Sequence, residues 1–555
     1  MKSRFLLVVL ALVFSGSRFF CPAAFGEDGA RARDAVVLFT GDVHCAVDQG
    51  YGYAGLTGLR DVFASAGDDV LLADCGDAVQ GEPLGGETRG EAIVALMNAA
   101  GYSVAVPGNH EFDFGVPQFL KLAELADFPY VCCNFRHNGE RVLKPYVIRE
   151  LAGVKIAFVG IATPKTLGSV RSSYFKDANR NFVYDFMQDA TGETLYRAVQ
   201  DAVDAARAEG ADYVVALAHL GVSEDCAPWR SVDVVANTSG IDAVLDGHSH
   251  DAAVVRLKNK EGRETVRCAC GVKFSHIGWL RIDADGRLDA GLYDGIGADV
   301  PRMGLDLIKN GMAEKVAEAK AKLAQTLDEV VAKSRVNLTI FGPDPNDPAK
   351  RVRSVRRAET NMGDFCTDAF RFRTGADAAF LNGGTIRGDL PAGEITRGEL
   401  KVAHPFGNKI VTVEATGRRI LDALEWGARE WPAESGGFLQ TSGLTYAIDP
   451  RVKSGCVKDA VGAFARVEGE RRVKNVKIGG EPLDPDKSYK LACTDYVLLD
   501  EGDGFVMFRG CRILDRGESL DDCRAFLDYA AEELGGKIGE RYANPRGEGR
   551  ITVLQ

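Results

Sequence analysis

The chain has 555 residues, 46% of them hydrophobic and 26% charged, the balance of a globular protein and too apolar for a disordered or fibrous one. That length fits about three to four domains, or two large ones. With 67 lysines and arginines against 79 acids the net charge is −12, which repels polymeric nucleic acid on average and leaves open a small nucleotide in a locally cationic cleft.

Residues 1–26 read as a signal peptide: Lys2 and Arg4 precede an apolar run at 5–14, and Ala23, Ala24 and Gly26 supply small residues at its end. The run is too short to span a bilayer, and no later stretch of 18 apolar residues follows. The expectation is an exported protein without a transmembrane segment, periplasmic or extracellular. A lipid anchor at Cys21, which would leave it on a surface, is disfavoured because Arg18-Phe19-Phe20 stand where such sites take small residues. From 34 to 300, short β-rich runs alternate with helical patterns, the mark of an α/β domain. Over 303–334, Met312, Val316, Ala319, Leu323, Leu327 and Val330 recur every three or four residues, which predicts an amphipathic linker helix joining two domains. A second α/β block runs over 336–555. The 13 cysteines are too few for a disulfide framework in a chain this long and form no zinc motif. Cys511 and Cys523 are candidates for a bridge across a short loop.

Five apolar runs of the first block end on residues that bind metals. Run 35–39 leads into Gly41-Asp42-Val43-His44, run 70–73 into Asp74-Cys75-Gly76-Asp77, and run 103–106 into Gly108-Asn109-His110-Glu111-Phe112-Asp113. Run 213–217 leads into His219, and run 241–245 into Gly247-His248-Ser249-His250. Open α/β sheets place their ligand sites at such carboxyl ends. Only 8 of the 555 residues are histidine, so chance predicts roughly 0.1 His-x-His pair. Five of the eight lie in these clusters; His137, His276 and His404 do not. Imidazole and carboxylate donors suit first-row divalent ions, and two such ions sharing a carboxylate can acidify a water and neutralise a phosphoryl group.

The motifs in this order resemble the calcineurin-like metallophosphoesterases, and more closely the exported 5′-nucleotidase family. The second block carries further marks of that family: Glu359-Thr-Asn-Met-Gly363, Asn382-Gly-Gly-Thr-Ile-Arg387, Pro405-Phe406-Gly407 and Gly502-Asp-Gly-Phe505. The resemblance implies a four-layer αββα metallophosphoesterase sandwich, a connecting helix and a C-terminal α/β substrate-binding domain. It implies two divalent ions, zinc, manganese or cobalt. Asp42, His44 and His250 would hold the first, Asn109, His219 and His248 the second, and Asp77 would bridge them. His110, oriented by Asp113, resembles the catalytic histidine. Arg356, Asn382 and Arg387 resemble groups that grip phosphate and ribose, Asp503 one that binds the ribose hydroxyls, and Phe406 one half of an aromatic clamp on the base. Either Tyr496 or Val497 occupies the other half. The activity implied is in-line hydrolysis of nucleoside 5′-monophosphates, with the base-binding domain rotating about the connector. The alternatives are a UDP-sugar hydrolase, a 2′,3′-cyclic-nucleotide phosphodiesterase with 3′-nucleotidase action, or an inactive secreted binding protein.

Overall fold

The computed structural model describes residues 33–177, 179–294, 310–344, 347, 349–459, 462–517 and 519–554. The signal peptide, Cys21 and residues 303–309 of the expected linker lie outside them. Two compact units are present: residues 33–166 with 183–321, and residues 167–182 with 322–554. Leu167–Phe182 therefore belongs with the second unit although it falls inside the first in sequence.

The first unit is a sandwich of two sheets between helices. One sheet contains β1 (Ala35–Thr40), β2 (Asp69–Asp74) and β3 (Tyr102–Ala105), with helices α1 (Gly52–Ala66) and α2 (Glu91–Ala100) between them in sequence. The second contains β4 (Tyr146–Leu151), β5 (Val154–Ala162), β6 (Tyr213–His219), β7 (Ala243–Asp246), β8 (Ala252–Lys258) and β9 (Glu264–Cys270), with helices α3 (Glu193–Ala208) and α4 (Ser231–Asn237). The chain then returns to the first sheet as β10 (His276–Ile282) and β11 (Leu288–Asp294). The strand orders are β11-β10-β1-β2-β3 and β8-β9-β7-β6-β5-β4.

Strands β1, β2 and β3 are parallel, as are β5, β6, β7 and β9. Because helices cover the outer faces, these strands are apolar on both sides. Val37, Phe39, Leu71, Phe158, Val215, Leu245 and Leu280 fill the space between the sheets. Leu195, Val199 and Val203 of α3, spaced by four, pack with Val214 and Ala216 on the outer face of the second sheet. The parallel strands β1, β2, β3, β6 and β7 all end beside the predicted metal-binding loops.

The linker periodicity divides in two. Helix α5 occupies Met312–Leu327, with Met312 and Val316 buried, whereas Val330–Ser334 is a strand paired with Gly393–Thr396. Val330 continues the helical spacing, but the β-branched pair Val330-Val331 gains a strand partner there.

In the second unit, helix α6 (Asn361–Thr374), strands β12 (Ala378–Asn382) and β13 (Ile410–Thr416), helix α7 (Gly417–Gly427) and strands β14 (Leu439–Ser442), β15 (Ser488–Thr494) and β16 (Arg512–Asp515) build a five-stranded sheet of order β14-β12-β15-β13-β16. Phe365 and Phe370 of α6 pack with Leu381 on one face, and Ile420 and Leu424 of α7 with Phe380 and Val413 on the other. Among the described residues all twelve cysteines are free thiols, so the Cys511–Cys523 bridge is not formed. The Cys511 sulfur accepts instead from Arg419 Nη1 at 2.8 Å, and the Cys523 thiol faces the His404 carbonyl at 3.9 Å.

Candidate metal centre

The five loops after β1, β2, β3, β6 and β7 converge. His44 Nε2 and His250 Nε2 are 3.2 Å apart, with Asp42 Oδ1 3.5 Å from the latter. Asp77 Oδ2 lies 3.1 Å from His219 Nε2 and 3.9 Å from His44 Nε2, so one carboxylate oxygen stands between two donor groups. Two sets, Asp42/His44/His250 and Asp77/His219/His248, each bring their donor atoms within 4.8 Å of one another. His110 and Asp77 also come together with His44 on the same scale.

Backbone carbonyls fix the imidazole tautomers. His44 Nδ1–H donates to the Gln80 carbonyl at 3.0 Å and His219 Nδ1–H to that of Cys75 at 2.6 Å, which leaves each Nε2 lone pair for a cation. Asn109 Oδ1 is buried with no hydrogen-bond partner; an orphaned acceptor of this kind is expensive unless a cation completes it. The backbone is strained in the same place: Asp42, His44, Asp77, His248 and His250 all have φ between 48° and 77°. Non-glycine residues adopt that region at a free-energy cost, and such strain gathers at functional sites. At Gly247, a Cβ would lie 2.9 Å from both Asp42 Oδ2 and His219 Nδ1, so only glycine lets the two loops close. The donors, the orphaned oxygen and the bridging carboxylate fit a pair of divalent ions.

The electrostatics agree. Burial raises Asp42, and Asp77 adds to the shift; Asp77 itself is held well below the usual carboxylate range because His219, His110 and His44 outweigh its burial. Burial opposes a proton on His219, yet Asp77 and Asp42 lift it to about 10. His248 is pushed down to about 3 by burial and then by His219. Carboxylates that hold a proton on buried His219 this firmly favour a cation between them, and His248 stays neutral beside it. His110 stands at the edge of the cluster. Its Nδ1 lies 2.6 Å from Asp113 Oδ2 and its backbone N–H donates to Asp77 Oδ1 at 2.8 Å.

Two groups in the site carried no role in the sequence. Glu111, inside the Gly108–Asp113 motif, accepts the N–H groups of Asp77 (2.8 Å), Gly108 (2.6 Å) and Ala78 (2.8 Å). It thereby ties the bridging-carboxylate loop to the Asn109 loop. Asp246, an acid closing the apolar strand β7, accepts three N–H groups from the His219 and His248 loops. Its position just before Gly247 was the available signal.

The substrate residues read from the sequence meet in the second unit. Asn382 Nδ2 donates to Asp503 Oδ2 at 2.8 Å, and the Arg387 guanidinium lies 5.1 Å from the Phe406 ring centroid. Burial, then Arg353 and Arg387, disfavour the charged form of Arg356, and its Nε is buried without a hydrogen-bond partner. These crowded guanidinium groups call for an anion. Asp503 has φ 51° and donates its N–H to the Tyr496 hydroxyl at 3.1 Å; that hydroxyl donates to the Ser169 carbonyl at 2.9 Å. Val497 is fully buried in the core. Of the two residues left open for the second half of the clamp, Val497 is thus turned into the hydrophobic interior.

This fold and donor set define a two-domain metallophosphoesterase. The model for calcineurin-like phosphoesterases matches residues 35–252, and that for the 5′-nucleotidase C-terminal domain matches residues 330–510. The chain belongs to the family that joins these two domains. It is 26% identical to the trifunctional nucleotide phosphoesterase protein YfkN of Bacillus subtilis over 94% of this chain, and spans about a third (35%) of that longer protein. It is also 26% identical to protein UshA of Escherichia coli, covering 84% of this chain and 86% of UshA. Among solved structures, the 5′-nucleotidase precursor of Thermus thermophilus superposes with a TM-score of 0.75 at 26% identity, covering 94% of this chain and 99% of that one. Among the described residues no helix is long and apolar enough to cross a membrane.

Proposed function

We propose that the chain is an exported 5′-nucleotidase that releases phosphate from nucleoside 5′-monophosphates. The observation that carries this reading is the Asp77 carboxylate oxygen standing between His44 Nε2 and His219 Nε2. Two divalent ions at that place supply Lewis acidity and an activated water. Asp42, His44 and His250 are assigned to one ion, Asn109, His219 and His248 to the other, and Asp77 to both. With Nδ1–H committed to Asp113, His110 presents Nε2 to protonate the leaving 5′ oxygen. Arg356 and Arg387 hold the phosphate, Asn382 and Asp503 the ribose, and Phe406 stacks on the base, with Tyr496 beside it. The name of the 5′-nucleotidase of Vibrio vulnificus (26% identical) supports the substrate class, and that of the cell wall protein Lmo0130 of Listeria monocytogenes (26% identical) supports export. Any movement of one unit, read in the sequence as rotation about 303–334, must also be taken up where the chain passes between units at residues 166–167 and 182–183.

The test is hydrolysis of AMP, UDP-glucose and 2′,3′-cyclic AMP, with and without EDTA, read as phosphate release for AMP and as UMP with glucose 1-phosphate, or as 2′- or 3′-AMP, by chromatography for the other two. Chelator-sensitive phosphate release from AMP is expected. Turnover of UDP-glucose or the cyclic nucleotide without AMP would replace this reading, and no hydrolysis of any of the three, with zinc, manganese or cobalt added, would refute it.

A further inference from the structure

Behind the metal-binding loops lies a charge network with a buried centre, Arg267 and Asp246, and one partly exposed acid, Asp251, at its edge. Arg267, in the middle of β9, is 2% exposed and Asp246 is 0% exposed. Arg267 Nε donates to Asp246 Oδ2 at 2.8 Å and to Ser231 Oγ at 3.0 Å. The rest of the guanidinium forks onto Asp251, with Nη1 2.7 Å from Oδ2 and Nη2 3.0 Å from Oδ1.

Each acid governs a different loop. Asp246 Oδ1 accepts the N–H groups of Leu220 (3.0 Å), Gly221 (3.1 Å) and Gly247 (3.0 Å), which flank His219 and His248. Asp251 directly follows His250. Ser231 Oγ donates onward to the Gly221 carbonyl at 3.2 Å, closing the network on the His219 side. Stability alone does not account for such an arrangement, because a buried ion pair is often matched or bettered by apolar residues of similar volume. What it supplies is geometry: a planar fork fixes two carboxylates at once, and both His248 (φ 77°) and His250 (φ 59°) sit in backbone conformations that need outside support.

We infer that Arg267 is a positioning residue that holds the His219, His248 and His250 loops in one arrangement and so couples the two metal positions. The inference rests on the proposed two-ion reading, in which His250 and the His219/His248 pair serve different ions. Loss of the fork frees both carboxylates, so both ions are affected together.

The test measures metal affinity of the whole protein by titrating Zn²⁺ or Mn²⁺ in competition with a fluorescent chelator, beside AMP kinetics at limiting and saturating metal. In Arg267→Met both metal equivalents are expected to weaken by about 10- to 100-fold, the range for groups that orient metal ligands. Activity falls at limiting metal and returns at saturating metal, with KM for AMP unchanged, and Arg267→Lys retains more affinity than Arg267→Met. Wild-type affinity for both equivalents in folded Arg267→Met overturns the inference. Should that variant not fold, Asp251→Ala decides: it cuts only the arm behind His250, and unchanged affinity there overturns the inference equally. A wild-type protein that takes up no metal in the same titration would instead remove the proposed function.

Discussion

Glu111→Gln replaces a carboxylate that accepts three backbone N–H groups with an amide of the same shape. If the amide oxygen takes the place of Oε2, the bonds from Asp77 and Gly108 survive, but the NH₂ then faces the Ala78 N–H that Oε1 accepts at 2.8 Å. One buried donor is stranded, which costs about 2 kcal/mol. The two surviving bonds pass from a charged to a neutral acceptor, roughly halving their strength and adding about 1 kcal/mol. A total of about 3 kcal/mol corresponds to roughly a hundredfold easier opening of these loops. Amide hydrogen exchange read by mass spectrometry over peptides spanning 74–82 and 105–112, in EDTA-treated protein, reports this directly. Exchange within twofold of wild type would refute the reasoning.

His110→Ala should lower kcat by about 10²- to 10⁴-fold, the usual range for a lost general acid, with metal content unchanged by elemental analysis; Asp113→Asn should give a smaller loss. Phe406→Ala should raise KM for AMP and for UMP alike with little change in kcat, since stacking on an aromatic ring does not distinguish bases. Glu501 is lowered from 4.5 to about 2 because hydrogen bonds from Arg509 and Lys176 outweigh its burial. Its stabilisation is full above pH 4.5 and is lost as pH falls toward 2. Acid unfolding of the second unit, followed by hydrogen exchange, should therefore lose its dependence in that window in Glu501→Gln; an unaltered acid limb would assign the dependence elsewhere.

The converging histidine and carboxylate donors were legible because each sits just past an apolar run, and parallel strands bring such ends together however far apart they lie in sequence. Val330 illustrates the opposite case. Its spacing from Leu327 continues a helix, and only the partner strand Gly393–Thr396 reveals it as part of a sheet. Arg267 was hidden for a related reason. A single arginine in a strand reads as a solvated face, and its two acids, 21 and 16 residues away, become its neighbours only when β7 and β9 pair. Counting back from Asp503 points to Val497 while Tyr496 is the aromatic of the pair, and the choice depends on which side of a short helix meets the core, where Val497 is buried.

The passage of Leu167–Phe182 into the second unit bears on how the protein can be dissected. A fragment beginning near residue 322 would carry every strand and helix of the C-terminal sheet, yet it would lack Arg171, which donates to Asp495 (2.7 Å), Asp500 (2.8 Å) and Asn408 (2.9 Å), and Lys176, which pairs with Glu501 (3.1 Å). Asp495 and Asp500 would lose their shared counter-charge and Glu501 would be left with Arg509 alone, all beside the Gly502–Phe505 turn. Faithful excision of that half calls for grafting the sixteen-residue piece back on through a designed loop, not for a single cut.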